Sequence, residues 1–278
     1  MKGLDNYLKA TGDMPFTSQD PLTPPPSPKA DPQIQEPAPI TSTSDPNAMP
    51  SSPTSPSSHP IPNHTTDISI FVSATESFSR ANTNNTIASS LQAVQSIISR
   101  AKPLNIRVRG YISCCLGCPY EGLDVSPAAV AGIATSLLEY GVDSVSIADT
   151  IGTGTAPKTT MLLKTLSAAG IAPADIALHF HDTYGQALVN TVVGLEHGIR
   201  IFDSAVGGLG GCPFAGQATG NVSTEDLVYM LHSLGMQTGV DIEEMSRIGA
   251  WICGELGRAH ESRAGKAVLS KLKKEKGS

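Results

Sequence analysis

From Asp67 onward, short apolar runs alternate with stretches in which apolar residues recur at helical spacing. Ile68–Ala74, Arg107–Ser113, Ser144–Ala148, Ile176–His181 and Ile201–Ala205 read as strands. Residues 86–101 carry Ile87, Leu91, Val94, Ile97 and Ile98 on one helical face. Further helices are predicted over residues 127–140, 157–169 and 184–198, the first opened by Ser126-Pro127, a good N-cap and first-turn proline. Two helices are expected to close the chain. One starts near Ser223 or Thr224, the other near Asp241, where Glu244 completes a capping box. Such β/α alternation predicts parallel strands joined by right-handed crossovers. A doubly wound sheet and a (β/α)8 TIM barrel both fit. Polar residues stand at strand C-terminal ends: Ser113-Cys114, Asp149-Thr150, His179 and His181-Asp182, and the Gly207–Ala215 loop. A barrel gathers all those ends at one mouth, whereas a doubly wound sheet concentrates its chemistry at one switch point, so the α/β barrel is preferred.

Composition divides the chain. Residues 1–66 hold 15 of the 21 prolines and almost no aliphatic runs. Pro-Pro-Pro-Ser-Pro at 24–28 and the Ser/Pro-rich stretch at 51–58 cannot bury enough apolar surface to offset chain entropy, so residues 13–66 are expected to be a disordered insertion. The net charge of −6 is spread without acidic blocks and suggests no nucleic-acid partner. No apolar run approaches the roughly 18 residues of a membrane span. Lys271-Leu272-Lys273-Lys274-Glu275-Lys276 reads as a solvated basic tail within 261–278. No targeting segment is visible. Five cysteines, an odd number, argue for reduced thiols. Cys115-Leu116-Gly117-Cys118 is a C-x-x-C without a second pair, which fits structural thiols better than a redox or zinc site.

The chemistry concentrates downstream. Alternation puts Ala177, His179 and His181 on one face of a strand, with Leu178 and Phe180 on the other. Two imidazoles so placed can hold a divalent cation, or they can be hydrogen-bonded core histidines. Oxygen ligands would have to come from elsewhere. Asn221 is a candidate carbonyl donor, or a turn asparagine. Cys212, in Gly207-Gly208-Leu209-Gly210-Gly211-Cys212-Pro213, is a candidate proton donor on a mobile loop, or a small buried thiol. Asp149 could orient a substrate, act as acid or base, or cap the next turn.

Four ordered motifs carry a resemblance. They are Arg109–Gly122 with its Ser-Cys-Cys-Leu-Gly-Cys-Pro-Tyr-Glu-Gly end, Asp149-Thr150-Ile151-Gly152, His179-Phe180-His181-Asp182-Thr183-Tyr184-Gly185-Gln186, and Gly-Leu-Gly-Gly-Cys-Pro. Together they resemble the 3-hydroxy-3-methylglutaryl-CoA lyase family over residues 67–260. Residues 1–12 resemble the helix before that family's fourth strand, which implies that the chain holds strands four to eight of the barrel, with 13–66 inserted between. The resemblance implies a divalent-cation-dependent cleavage of hydroxymethylglutaryl-CoA to acetyl-CoA and acetoacetate, a step of leucine catabolism and ketone-body formation. It implies His179, His181 and Asn221 as ligands of Mg2+ or Mn2+. It implies Cys212 as the enolate proton donor and Asp149 and His179 as further catalytic residues. An acyl-CoA substrate, a homodimer and a mitochondrial location follow from it. The family's Arg-Asp pair on its first strand has no counterpart, since no Arg-Asp dipeptide occurs and the first arginine is Arg80. The expectation is therefore an open remnant with an uncovered apolar lumen, poorly stable and at best weakly active, or else a non-catalytic fragment that binds a partner. Condensing synthases such as isopropylmalate synthase share the H-x-H strand, but their glycine loop lacks Cys-Pro.

Overall fold

The computed structural model describes residues 67–211 and 220–276, so the expectations for 1–12, for 13–66 and for Cys212 fall outside the described residues. Five strands form one parallel sheet: β1 (Asp67–Ser73), β2 (Arg107–Ser113), β3 (Ser144–Asp149), β4 (Ile176–Phe180) and β5 (Ile201–Asp203). They lie side by side in chain order, with no reversal. That sequential order is the barrel's arrangement, because a doubly wound sheet would turn back on itself at a switch point.

Alternation along each strand separates two chemistries. Val108, Ile112, Val145, Ile147 and Leu178 are each at most 1% exposed and form the core against the helices α2 (Ile87–Ala101), α3 (Pro127–Glu139), α4 (Ala156–Ala168) and α5 (Ala187–Glu196). The sheet approaches α3 so closely that a Cβ on Gly110 would meet Leu137 at 3.1 Å. The opposite, inner face carries Ser69, Arg109, Tyr111, Ser146, His179 and Asp203 in cross-strand register. This corrects the expectation of an apolar lumen. The period of two that sends the aliphatics outward sends serines and charges inward, and among the described residues only Phe71, stacked on Tyr111 at 5.1 Å, and Ile201 add exposed apolar surface there.

Three differences from the sequence reading have physical causes. Helix α1 (Glu76–Thr83) was not expected, because Glu-Ser-Phe-Ser-Arg-Ala-Asn-Thr has a single large apolar residue and hence no periodicity. That residue, Phe78, is 1% exposed and packs on Cys114 and Cys118, and left-handed Asn84 (φ 54°) ends the helix. Three helices, not two, close the chain: α6 (Thr224–Ser233), α7 (Ile242–Glu255) and α8 (Arg263–Lys276). The basic residues of α8 masked a stripe of Ala264, Val268 and Leu272, all half-buried at a spacing of four, which packs on α6 and α7. Finally, β4 and β5 end earlier than expected, at Phe180 and Asp203, because the chain beyond them pairs with residues 221–223 instead.

Candidate active site

The site lies at the C-terminal end of the sheet. Beyond β4, His181 makes an antiparallel bridge with Asn221. The Val222 amide donates to the Phe180 carbonyl at 3.1 Å, and the Asp182 amide to Gly220 at 3.2 Å. This pairing brings together three sequence-predicted residues, His179, His181 and Asn221, and the two imidazole centroids stand 5.4 Å apart. Asn221 is thus a bridged residue with a fixed side chain, not a loose turn position. Its Nδ2 donates to the Leu209 carbonyl at 2.9 Å, while its Oδ1 is buried with no partner. His181 is 5% exposed, and its Nδ1 is also buried without a partner. Burial, aided by the nearby His179, lowers its pKa to about 4, so the ring is neutral at pH 7.

These residues fit a divalent cation. They offer an uncharged imidazole, a second imidazole beside it and an amide oxygen, and the last is a buried acceptor otherwise unsatisfied. Among the described residues, no cluster of three or more His, Cys, Asp or Glu could hold a metal. Asn221, a residue outside that set, and oxygens of substrate or water would have to complete the shell.

Residues missed by sequence reading buttress His179. Asp203 Oδ2 lies 3.3 Å from His179 Nδ1 and accepts from Ser146 Oγ at 3.0 Å, and its Oδ1 pairs with Arg109 Nη1 at 3.0 Å. The Arg109 guanidinium lies over the Tyr111 ring, 5.1 Å from its centroid. Burial pushes the Asp203 carboxyl up, but the hydrogen bond from His179 and the charge of Arg109 outweigh it and hold the pKa below the usual value. Alternation in Ile201-Phe202-Asp203 hinted at an inward aspartate. Its alignment with His179 required the register.

Asp149 sits apart, 1% exposed, at the end of β3. Its oxygens accept from the Thr153 and Gly154 amides at 3.2 and 2.8 Å, the capping arrangement among its three sequence-stated alternatives. Burial raises its pKa to about 6 against those hydrogen bonds. Cys114, Cys115 and Cys118 are buried free thiols. Burial pushes the Cys114 and Cys115 thiols up, leaving them protonated and inert.

The Gly207–Gly211 loop forms the facing wall. A Cβ on Gly210 (φ +90°) would meet Asn221 Nδ2 at 2.8 Å, so glycine is needed there on both conformational and steric grounds. Glu225 on α6, fully buried, accepts from the Gly207 amide with both oxygens, at 3.0 and 2.9 Å, and stands 3.2 Å from His260 Nε2. Between this loop and the start of α8 lies a cleft of about 880 Å3, bordered by Asp182, Leu209, Asn221, Arg258, Arg263 and Lys266. Asn221 joins the cleft to the histidine cluster.

Comparison with known proteins shows the family. The HMGL-like family matches residues 62–252. A Pseudomonas aeruginosa 3-hydroxy-3-isohexenylglutaryl-CoA/hydroxy-methylglutaryl-CoA lyase is 47% identical over 205 residues, covering 74% of this chain and 68% of the relative. A Danio rerio protein named as cytoplasmic 3-hydroxy-3-methylglutaryl-CoA lyase is 49% identical over 202 residues, 73% of this chain and 60% of the relative. The solved structure of an Acinetobacter baumannii HMG-CoA lyase, in complex with coenzyme A and 3-methylmalate, superposes with a TM-score of 0.69 at 32% identity, covering 72% of this chain and 65% of that one.

Proposed function

This chain belongs to the HMGL-like family of hydroxymethylglutaryl-CoA lyases, and from that premise we propose that it cleaves 3-hydroxy-3-methylglutaryl-CoA to acetyl-CoA and acetoacetate. The observation that carries the reading is the convergence of His179, His181 and Asn221, whose own amide oxygen is buried and unsatisfied. In this reading the five strands are the family's fourth to eighth. His179, His181 and Asn221 hold Mg2+ or Mn2+, which when bound supplies stabilisation of developing alkoxide charge. The substrate's 3-hydroxyl loses its proton, the carbon–carbon bond breaks as the acetoacetate carbonyl forms, and the acetyl-CoA enolate takes a proton from Cys212. The hydroxyl proton passes to a water of the open cleft, and Asp149, buried on the helix-facing side of β3, acts from a distance by holding the Thr153 and Gly154 amides of the loop beyond that strand. The cleft's Arg258, Arg263 and Lys266 suit the phosphates of an acyl-CoA. A homodimer and a mitochondrial location remain parts of the proposal, to be checked by light scattering and by imaging of the tagged chain.

The test is acetoacetate production by the purified chain, stripped with EDTA and resupplied with Mg2+ or Mn2+, alongside Cys212→Ala. Product that depends on metal and disappears in the variant supports the lyase. No product from the unmodified chain at any metal concentration overturns it and favours the second reading, a non-catalytic chain that binds a partner, to which the lack of an Arg-Asp dipeptide points.

A further inference from the structure

Asp203 is surrounded by donors. Arg109 Nη1 meets Oδ1, and Ser146 Oγ and His179 Nδ1 meet Oδ2. A carboxylate so placed is ionised and can only accept hydrogen bonds. When the His179 ring carries a single proton, that proton therefore sits on Nδ1, which leaves Nε2 bare. The contact is not incidental, because Asp203 and His179 are direct cross-strand partners in the parallel ladder. The other end of the carboxylate is clamped by a guanidinium that is itself stacked on Tyr111, and Ser146 is fully buried. Every member of the cluster stands on a strand, the most rigid platform the fold offers.

We propose that Asp203 is a positioning residue: it fixes His179 in the Nδ1–H tautomer and in one ring orientation, so that Nε2 is the lone pair offered to a bound cation. This rests on the reading of His179 as a metal-holding residue, but the tautomer itself is a property of the metal-free protein. Carboxylate–imidazole pairs behind a metal-binding histidine typically change metal affinity 10–100-fold, in order-of-magnitude terms, when removed. Arg109 and Ser146 act through Asp203 in the same way, Arg109 by neutralising its charge and Ser146 by fixing Oδ2.

The experiment is 15N NMR of the metal-free full chain labelled at histidine, near pH 8, with the His179 signals assigned by their loss in His179→Gln. The expected result is a protonated Nδ1 and a bare Nε2 on His179. Asp203→Asn should give a mixture of tautomers and weaken Mn2+ binding, read by calorimetric titration, by about 10–100-fold, with an unchanged circular dichroism spectrum. Ser146→Ala, which removes one donor and leaves the charge, should weaken binding only a few-fold and keep the proposal testable if Asp203→Asn does not fold. An Nε2–H tautomer in the unmodified chain overturns the proposal. So does an Asp203→Asn protein with unchanged tautomer and unchanged Mn2+ affinity. Should the unmodified chain take up no Mn2+ while His179 shows the Nδ1–H tautomer, the metal-dependent lyase reading fails and the role of Asp203 in setting the ring stands.

Discussion

The two walls of the site are built on different principles. The strand wall, His179 with Asp203, Ser146, Arg109 and Tyr111, is held by side chains reaching across the ladder. The glycine wall, residues 207–211 with Asn221, is held through its backbone: Glu225 grips the Gly207 amide and the Leu209 carbonyl receives Asn221. On the first wall the sequence can vary only where the charges stay matched. On the second it can vary only where no side chain intrudes, because a Cβ at Gly210 would strike Asn221.

The largest expected effect falls on the glycine wall. Glu225→Ala leaves the buried Gly207 amide without its acceptor and opens a void beside His260, and an orphaned buried donor alone costs about 1–3 kcal/mol. Urea unfolding should register that loss, and Asn221-dependent Mn2+ binding should fall with it. A result near zero would mean that the Glu225–His260 pair does not support the loop. Next, Gly210→Ala should leave global stability within about 1–3 kcal/mol of the original, yet weaken Mn2+ binding at least tenfold by displacing the Asn221 amide. Equal metal affinity would detach the glycine wall from the site.

Acid titration sets the two walls and the β3 loop against one another. His181 has a native pKa of about 4, below the roughly 6.5 of an unfolded histidine. The unfolded chain therefore binds the extra proton across that window, and the His181 contribution is complete above about pH 6.5 and lost as the pH falls toward 4. Asp149 has the opposite sign. Its native pKa of about 6 lies above the roughly 3.9 of an unfolded aspartate, so the native chain binds the extra proton and gains stability as the pH falls across the same range. The two slopes oppose each other between about pH 4 and 6. In metal-free protein, Asp149→Asn should make stability decline on acidification by on the order of 2–3 kcal/mol over that range, and His181→Gln should make it rise. Parallel curves for the two variants would contradict this pairing. The smallest effect is expected away from both walls. Ser262 caps α8, donating to Asp226 at 2.8 Å and accepting from the Gly265 amide at 2.9 Å, so Ser262→Ala should cost about 1 kcal/mol with little change in metal binding.

Period-two and 3.6-residue patterns made the five strands and most helices legible, because each element buries a whole face. Helix α1 carries no periodic signal because Phe78 is its one large apolar residue, and in α8 the lysines outnumber the stripe of Ala264, Val268 and Leu272. His179, His181 and Asn221 were legible as residue types in the right order. Their meeting depends on the turn of chain that lays Asn221 against His181. For Asp203, alternation along the strand indicates only an inward side chain, and it is the register that sets it beside a histidine. The inner face differs from the apolar lumen of barrels in general because Ser69, Arg109, Tyr111 and Ser146 alternate with the aliphatics along these very strands.

The Arg109–Asp203 pair joins β2 to β5, which are three strands apart. Neighbouring strands lie about 4.8 Å from each other, so a flat sheet would set these two backbones roughly 14 Å apart with their side chains standing parallel. The register also places Arg109 four residues short of the position level with Asp203, so a contact of 3.0 Å requires the sheet to bow toward its inner face. The ion pair is thus a bowstring drawn across an arc: it reports the curvature of the sheet as directly as it orders the site, and cutting it would slacken the arc on which the histidines are mounted.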